Sequence, residues 1–427
     1  MTGNADEQAL MRRLGWRLMP VLVLMFLAAF IDRQNISFAK LQMVSDLQIS
    51  EAAFAFGASL FFVGYVIFEI PSALALQRYG ARRWLGLLMF GCGIVTLALA
   101  FTASADMLCA LRLLLGAIEA GIYPGVVYYL STWFPDPYRI RMLGFFTLGS
   151  SLGNMVGGPV NGALLDFHGA FGLAGWQWVF VGGGLLGLVL TFIVVACLPS
   201  SPQTAPFLDE KDRALLADMH RRVPVRAVAA DTNPWAVLWD PVVIGFGLIY
   251  ILLVTSYYGL TYWMPTLVRD FGVSATANGF LNAVPWAIAA VALIVVPPML
   301  GSDRSIFRFV AGITLLGFVC FLSSVMLTDN TLRFVALAIG GPCIAVLNPC
   351  FWTFPPRYFS GKRAAASIAA INAVGNIGGF FAPNLAPWVQ QHTGSVEGPM
   401  LVPAFCLVVL CGLSSWLWLR LPRRSAT

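Results

Sequence analysis

Apolar runs of about 20 residues recur along the whole 427-residue chain, and a helix of that length crosses a hydrocarbon core of about 30 Å. Twelve such runs can be drawn, at roughly 16–40, 52–77, 83–102, 107–130, 142–165, 174–198, 241–267, 275–299, 306–327, 332–354, 363–388 and 399–421. In hydrocarbon every backbone N–H and C=O has to be satisfied inside the structure, and no segment alternates like a lipid-facing strand, so the runs are expected to be helices. The fifth and eleventh are the most diluted, by Gly, Asn and Pro. No soluble domain of this size needs 59% hydrophobic residues against 11% charged ones. The expectation is therefore an all-α polytopic membrane protein that lies across the bilayer.

The few charges orient it. If both termini are cytoplasmic, the cytoplasmic segments hold all but five of the 26 lysines and arginines, the exceptions being Arg33, Lys40, Arg112, Arg269 and Arg333. The basic balance is thus a topology signal, and nucleic acid is not an expected partner. The first run is too long and too charged for a signal peptide and no small-residue cleavage site follows it, so it reads as the first span. The one long polar stretch, 199–240, divides the chain into six-helix halves at 1–198 and 241–427. It carries DEKDRALLADMHRR, the pattern of a short amphipathic cytoplasmic helix. The halves echo each other weakly: LGNMVGGP and VGNIGGFFAP align Asn154 with Asn376, and LQRYGARR has a counterpart in LGSDRSIFR, which contains Asp303 and Arg304. Two related halves place a binding site at the midplane between them. The eight cysteines sit in apolar segments without metal-ligand or disulfide spacing and read as small core residues.

Charge inside a membrane span costs at least a few kcal/mol and marks a functional site by default. Two arginines are placed this way. Arg33 follows Asp32 in FLAAFIDRQNISFA, and Arg112 precedes Glu119 by two turns in LRLLLGAIEAGIYPG. A guanidinium keeps its charge and offers a planar fork that matches a carboxylate, so both are candidate ligands for an anion. The plainer reading is salt bridges that hold the bundle together, yet buried ion pairs often add little net stability. On this reading Arg112 serves mainly to set the charge of Glu119, seven residues along the same helix face. Asp32 points about 100° away from Arg33 and faces other helices. All three histidines (His168, His220, His392) fall in loops, so a proton path through the membrane would use carboxylates. Glu69, before Pro71, is expected to pair structurally with basic loop ends rather than to carry a proton. Tyr65 is a hydroxyl donor or plain packing. Tyr258, Trp352, Asn372 and Asn376 are candidates for reading substrate hydroxyls or a ring, with a helix–helix hydrogen bond equally open for Asn376. The Gly-rich stretch GSSLGNMVGGP has no Lys-Ser or Lys-Thr after it and is not a phosphate loop; its small residues let helices approach closely. No catalytic constellation of the enzyme classes is present.

Several motifs carry a family resemblance. LQRYGARR resembles the loop signature of the major facilitator superfamily, keeping Arg78, Gly80, Arg82 and Arg83 but having Ala73 and Gln77 where that pattern has Gly and Asp. IDRQN (31–35), GYVIFEIPS (64–72), RLLLGAIEAGIYPG (112–125), GWQWVF (175–180), LPSSP (198–202) and INAVGNIGGF (371–380) are similar to the anion:cation symporter family within it, over essentially the whole chain. Members of that family import sugar acids, tartrate, phthalate and aromatic acids, and include the sialin-type vesicular carriers. The resemblance implies Arg33 as the stronger anion ligand, Asp32 and Glu119 as the proton-coupling pair, and Tyr65 as a ligand. The family usually has Glu where this chain has Gly183.

The expected function is proton-coupled uptake of a small organic anion across the cell's inner membrane by a monomeric carrier, with no cofactor beyond the proton. An exporter or drug:proton antiporter is the alternative within transport, and a transporter-like substrate sensor the alternative outside it. Two outer-half arginines argue against a cationic drug.

Overall fold

The computed structural model describes residues 2–222, 239–296, 300, 303–359 and 362–420, and every described segment between turns is helical, with no strand among the described residues. The helices are α1 (Thr2–Asp46), α2 (Glu51–Tyr79), α3 (Ala81–Leu99), α4 (Ala105–Glu119), α5 (Ile122–Trp133), α6 (Asp136–Leu165), α7 (Gly175–Cys197) and α8 (Glu210–Arg222). They continue as α9 (Pro241–Arg269), α10 (Ala275–Val295), α11 (Asp303–Met326), α12 (Asn330–Ala345), α13 (Leu347–Trp352), α14 (Pro355–Tyr358), α15 (Lys362–Thr393) and α16 (Leu401–Arg420). Among the described residues, nine helices are long and apolar enough to cross a membrane. The expected runs outside that set are helical too: 142–165 lies in α6, 363–388 in α15, and 107–130 is split between α4 and α5. The eighth run is helical to Val295, and its last residues, 297–299, lie outside the described residues.

Local chemistry explains the boundaries. Side chains of Ser50, Ser104, Ser274 and Asp329 accept the amide N–H three residues on and cap α2, α4, α10 and α12, while Asp240 accepts from Val242 and caps α9. Gly80 turns the chain between α2 and α3 at φ 79°, a conformation that other residues rarely adopt. The break between α4 and α5 falls at Ala120–Gly121, where Pro124 has no N–H to give the Ala120 carbonyl. Pro349 does the same to Ala345 at the α12–α13 break.

The described first part of the polar loop, 199–222, packs against the bundle. As its pattern predicts, α8 is a helix, and it buries Leu216 and Met219. Its charged face meets the start of α1 through Arg13–Asp212 at 2.8 Å and Arg222–Glu7 at 2.8 Å. Arg82, in the signature loop, donates from Nε to the Val195 carbonyl at 3.0 Å and so satisfies the C-terminal turn of α7. Arg78 and Arg83 are exposed. Five cysteines are buried as expected, but Cys197 is exposed.

The glycines of α6 work on two sides. Gly149 and Gly153 lie against backbone carbonyls of α1, while Gly158 and Gly162 lie against α10, where a Cβ on Gly158 would meet the Gly279 carbonyl at 2.6 Å. Helices touching backbone to backbone need no large side chains between them, the membrane solution to packing. Gly279→Leu is expected to force α6 and α10 apart, at about 1–3 kcal/mol for overpacking or more. Thermal unfolding of the purified protein checks this, and an unchanged midpoint would show the crossing to be slack.

Several contacts between helices before and after the polar loop lie near the Asp46–Glu51 turn. There Asp166 accepts from the Thr276 amide and hydroxyl, and Arg269 donates to the Leu41 carbonyl. Lys40, 3% exposed, pairs with Glu51 at 2.8 Å and lies 3.6 Å from the centroid of the Trp263 ring on α9. A buried ammonium between an acid and an aromatic face has exchanged its water shell for fixed partners.

Candidate functional site

The charged residues of α1 look two ways, as their 100° separation predicts. Arg33 faces α4 and α9. Its Nε donates to Glu119 Oε1 at 2.5 Å, and its Nη1 donates to the Tyr258 hydroxyl at 2.9 Å. The guanidinium also sits over the rings of Phe30, Phe61 and Tyr65, at 4.9, 5.4 and 5.3 Å from their centroids. Asp32 faces α3 and α7: the Thr96 hydroxyl donates to its carboxylate at 3.0 Å and Asn35 Nδ2 at 3.1 Å.

Glu119 makes its ion pair with Arg33, and Arg112 stays two turns back along α4 as the spacing predicts. Glu119 is the last residue of α4, where the helix breaks, and its carboxylate is taken by Arg33 from another helix. A gap of two turns along one helix is about 10 Å, whereas Arg33 reaches Glu119 directly. Arg112, 2% exposed, donates only through Nη2 to the Ala58 carbonyl, at 3.3 Å; its Nε and Nη1 have no hydrogen-bond partner. Its charge is met by the Phe61 ring, 4.8 Å from Cζ. A buried charged donor that the protein leaves unpaired is costly.

Two small cavities follow from this division. One is lined by Arg33, Arg112, Tyr258, Tyr262, Phe61 and Thr261, among others. The second is lined by Asp32, Glu119, Thr96, Cys92 and Gly183. Glu119 lines the second while its carboxylate reaches Arg33 in the first, so it joins the two. Gly183, where the resemblance expects Glu, lies against this second cavity: a Cβ there would meet Asn35 Nδ2, with Asp32 Oδ1 at 3.4 Å. The departure therefore leaves Asp32 without a neighbouring acid on α7.

Glu69 bonds across the two halves. Asn372 Nδ2 on α15 donates to Glu69 Oε1 at 3.1 Å, and Oε2 is buried with no partner. The bond runs to an amide across the bundle, and the side chains of Arg357, Lys362 and Arg363, near the start of α15, lie outside the described residues. Tyr65, 7% exposed, presents its ring to Arg33. Trp352 packs edge-on to Tyr250 at 5.1 Å, and Asn376 is half-buried one turn beyond Asn372. The repeat partner Asn154 makes the cross-helix bond, donating to the Tyr257 hydroxyl at 2.6 Å. Arg304 is part of α11; the side chain of Asp303 lies outside the described residues. Sequence reasoning missed Thr96, Asn35 and Tyr257. Asn35 could have been found at three residues from Asp32; Thr96 carries no local signal.

A bundle of membrane-length helices with cations and carboxylates buried at its centre is the build of a membrane transporter, not of an enzyme. The family model for the Major Facilitator Superfamily matches residues 22–383, and the chain belongs to that superfamily. It is 37% identical over 408 residues to an Agrobacterium vitis protein provisionally named a tartrate transporter, covering 95% of this chain and 90% of that one. It is 33% identical over 409 residues to the quinolone resistance transporter of Acinetobacter baumannii, covering 95% and 94%. The fold is also that of a crystal structure of a bacterial homolog of the human lysosomal transporter Spinster, inward-facing and unoccupied. The TM-score is 0.72 at 17% identity, covering 96% of this chain and 98% of that one. Transporter relatives over this length imply a small-molecule substrate.

Proposed function

We propose that the protein is a secondary transporter that carries a small organic anion inward together with protons, by alternating access between halves 1–198 and 241–427. The observation that carries the reading is the pair of guanidiniums lining one cavity inside the bundle, with Glu119 bound to Arg33 and two donors of Arg112 unpaired. Cations in that arrangement attract a carboxylate, and Tyr258 from the second half holds Arg33 where the anion would bridge the halves. Glu119 occupies Arg33 as a substrate carboxylate would. Protonating Glu119 frees Arg33 for substrate, and substrate binding favours that protonation in return, a reciprocal coupling. Asp32, held by Thr96 and Asn35 on the other face of α1, is the second candidate proton carrier. An anion entering against a negative-inside potential needs accompanying cations to be accumulated.

On the positive-inside bias the end carrying Lys40, Asp166 and Arg269 is the outer one, and the contacts there would close the outer face. Trp263→Ala removes the ring under Lys40, a contact of about 2 kcal/mol when desolvated. It is expected to raise outside labelling of a Thr261→Cys thiol about tenfold or more; unchanged labelling would show that Lys40 plays no part in closure.

The quinolone resistance relative favours a second reading, export of an aromatic acid through the same site. Counterflow in proteoliposomes with labelled carboxylates, repeated under pH gradients of either sign, separates the two. Accumulation down an inward proton gradient supports symport, accumulation against it supports antiport, and binding without flux would indicate a sensor.

A further inference from the structure

We infer that Asn161 sets the balance between conformations: its side-chain amide, buried and unpaired in the seam between the halves, weakens the closed seam and keeps the parted one within reach. The inference rests on the alternating-access reading above and names a residue that tunes it. Three observations carry it. Asn161 is 1% exposed, and neither its Nδ2 nor its Oδ1 has a hydrogen-bond partner among the described residues. Its direction follows from the helix. Gly157 lies against Ile31 and Gln34 of α1, while Gly158 and Gly162 lie against Gly279 and Ala275 of α10. At about 100° per residue, with Gly157 at zero, Gly158 falls at about 100° and Gly162 at about 140°. Asn161 falls at about 40°, between the face on α1 and the face on α10. Asn154, at about 60°, looks the same way and donates across the seam to the Tyr257 hydroxyl of α9 at 2.6 Å. Beyond Asn161, Asp166 accepts from Thr276 of α10. The polar positions on either side of Asn161 thus bond across the seam, and the amide between them does not.

A primary amide has two hydrogens to donate and an oxygen to accept with. Water satisfies them. Buried without partners, they carry a desolvation cost that exceeds the net gain of a made hydrogen bond. When α6 and α10 part, water reaches the amide and that cost is relieved. A group penalised in one conformation and relieved in the other shifts the equilibrium by the difference. The bonds made by Asn154 and Asp166 act with the opposite sign, since they hold the seam shut. A carrier has to leave each conformation on every cycle, so a seam bonded at every polar position would be slow to reopen.

Labelling of a Thr261→Cys thiol from outside by a membrane-impermeant maleimide, in intact cells, reads how often the seam parts, because Thr261 lines the arginine cavity. The full chain carrying that cysteine is compared with the same chain carrying Asn161→Ala, Asn161→Leu or Asn154→Ala. Alanine is smaller than asparagine and leucine is larger, so a sign shared by the two reports lost polarity rather than packing. Both are expected to lower outside labelling about fivefold or more. Asn154→Ala, which removes a bond across the seam, is expected to raise it about threefold or more. A merely structural role for Asn161 would give the two positions the same sign. The inference is overturned if either Asn161 variant raises labelling, or if both leave it within about twofold of the parent. It is also overturned if neither variant folds by size-exclusion behaviour, because a group that only penalises one conformation is not needed for folding. A parent cysteine that takes no outside label, with none in any variant, would instead show that the halves do not part at this end, which overturns the alternating-access reading itself.

Discussion

Arg33→Lys is expected to lower carboxylate affinity by about 100-fold, on the order of 2–3 kcal/mol, while the protein still folds. Lysine keeps the charge, so the bundle retains a cation beside Glu119. What is lost is geometry. In Arg33, Nε is committed to Glu119, Nη1 to Tyr258, and the plane lies over three aromatic rings. An ammonium is a point charge that cannot hold those contacts and present a fork to a substrate at once. Titration with a labelled carboxylate panel and counterflow in proteoliposomes check the expectation, with size-exclusion behaviour as the control for folding. Wild-type-like uptake by Arg33→Lys would remove Arg33 from the ligand set.

Glu119→Gln is expected to separate exchange from coupling. The amide is the size of the acid and resembles it in the protonated form. The variant should then exchange substrate across the membrane to within a few-fold of wild type, yet fail to accumulate it under an inward proton gradient. Arg33 would also lose its charged competitor, so affinity at alkaline pH should rise about tenfold, the equivalent of about 1.4 kcal/mol. Removing one partner of a buried pair is costly to stability, commonly 3–5 kcal/mol. The unfolding midpoint should fall, moderated because the amide oxygen still accepts from Arg33. Retained gradient-driven accumulation would take the coupling proton away from Glu119 and leave it with Asp32.

The two expectations interlock, because a single 2.5 Å ion pair serves both. Its existence was not legible in the chain. Arg33 and Glu119 are 86 residues apart, and the cation nearer along the chain, Arg112, stands two turns away, too far for a tight bridge. The helix break at Ala120–Gly121 and the reach of the Arg33 side chain from α1 decided the pairing. The consequence is that Arg112, expected to tune Glu119, holds the unpaired donors. Glu69 is a parallel case. Its burial and its place before Pro71 could be read from the segment, but Asn372 lies 303 residues away, and only the packing of α2 on α15 brings them together. Gly183 shows the converse: the missing acid was visible in the sequence, and its position against Asp32 was not.

The sequence by itself determined the membrane-spanning helical architecture, because length and apolarity are local properties that hydrocarbon reads directly. It also determined which charges are functional candidates, since a guanidinium or carboxylate inside an apolar run is conspicuous wherever the run ends up. Which charge pairs with which was decided only by the tertiary structure. Partners in a folded bundle are chosen by helix crossings and by glycine-permitted approach, and these act across separations along the chain that no local pattern records.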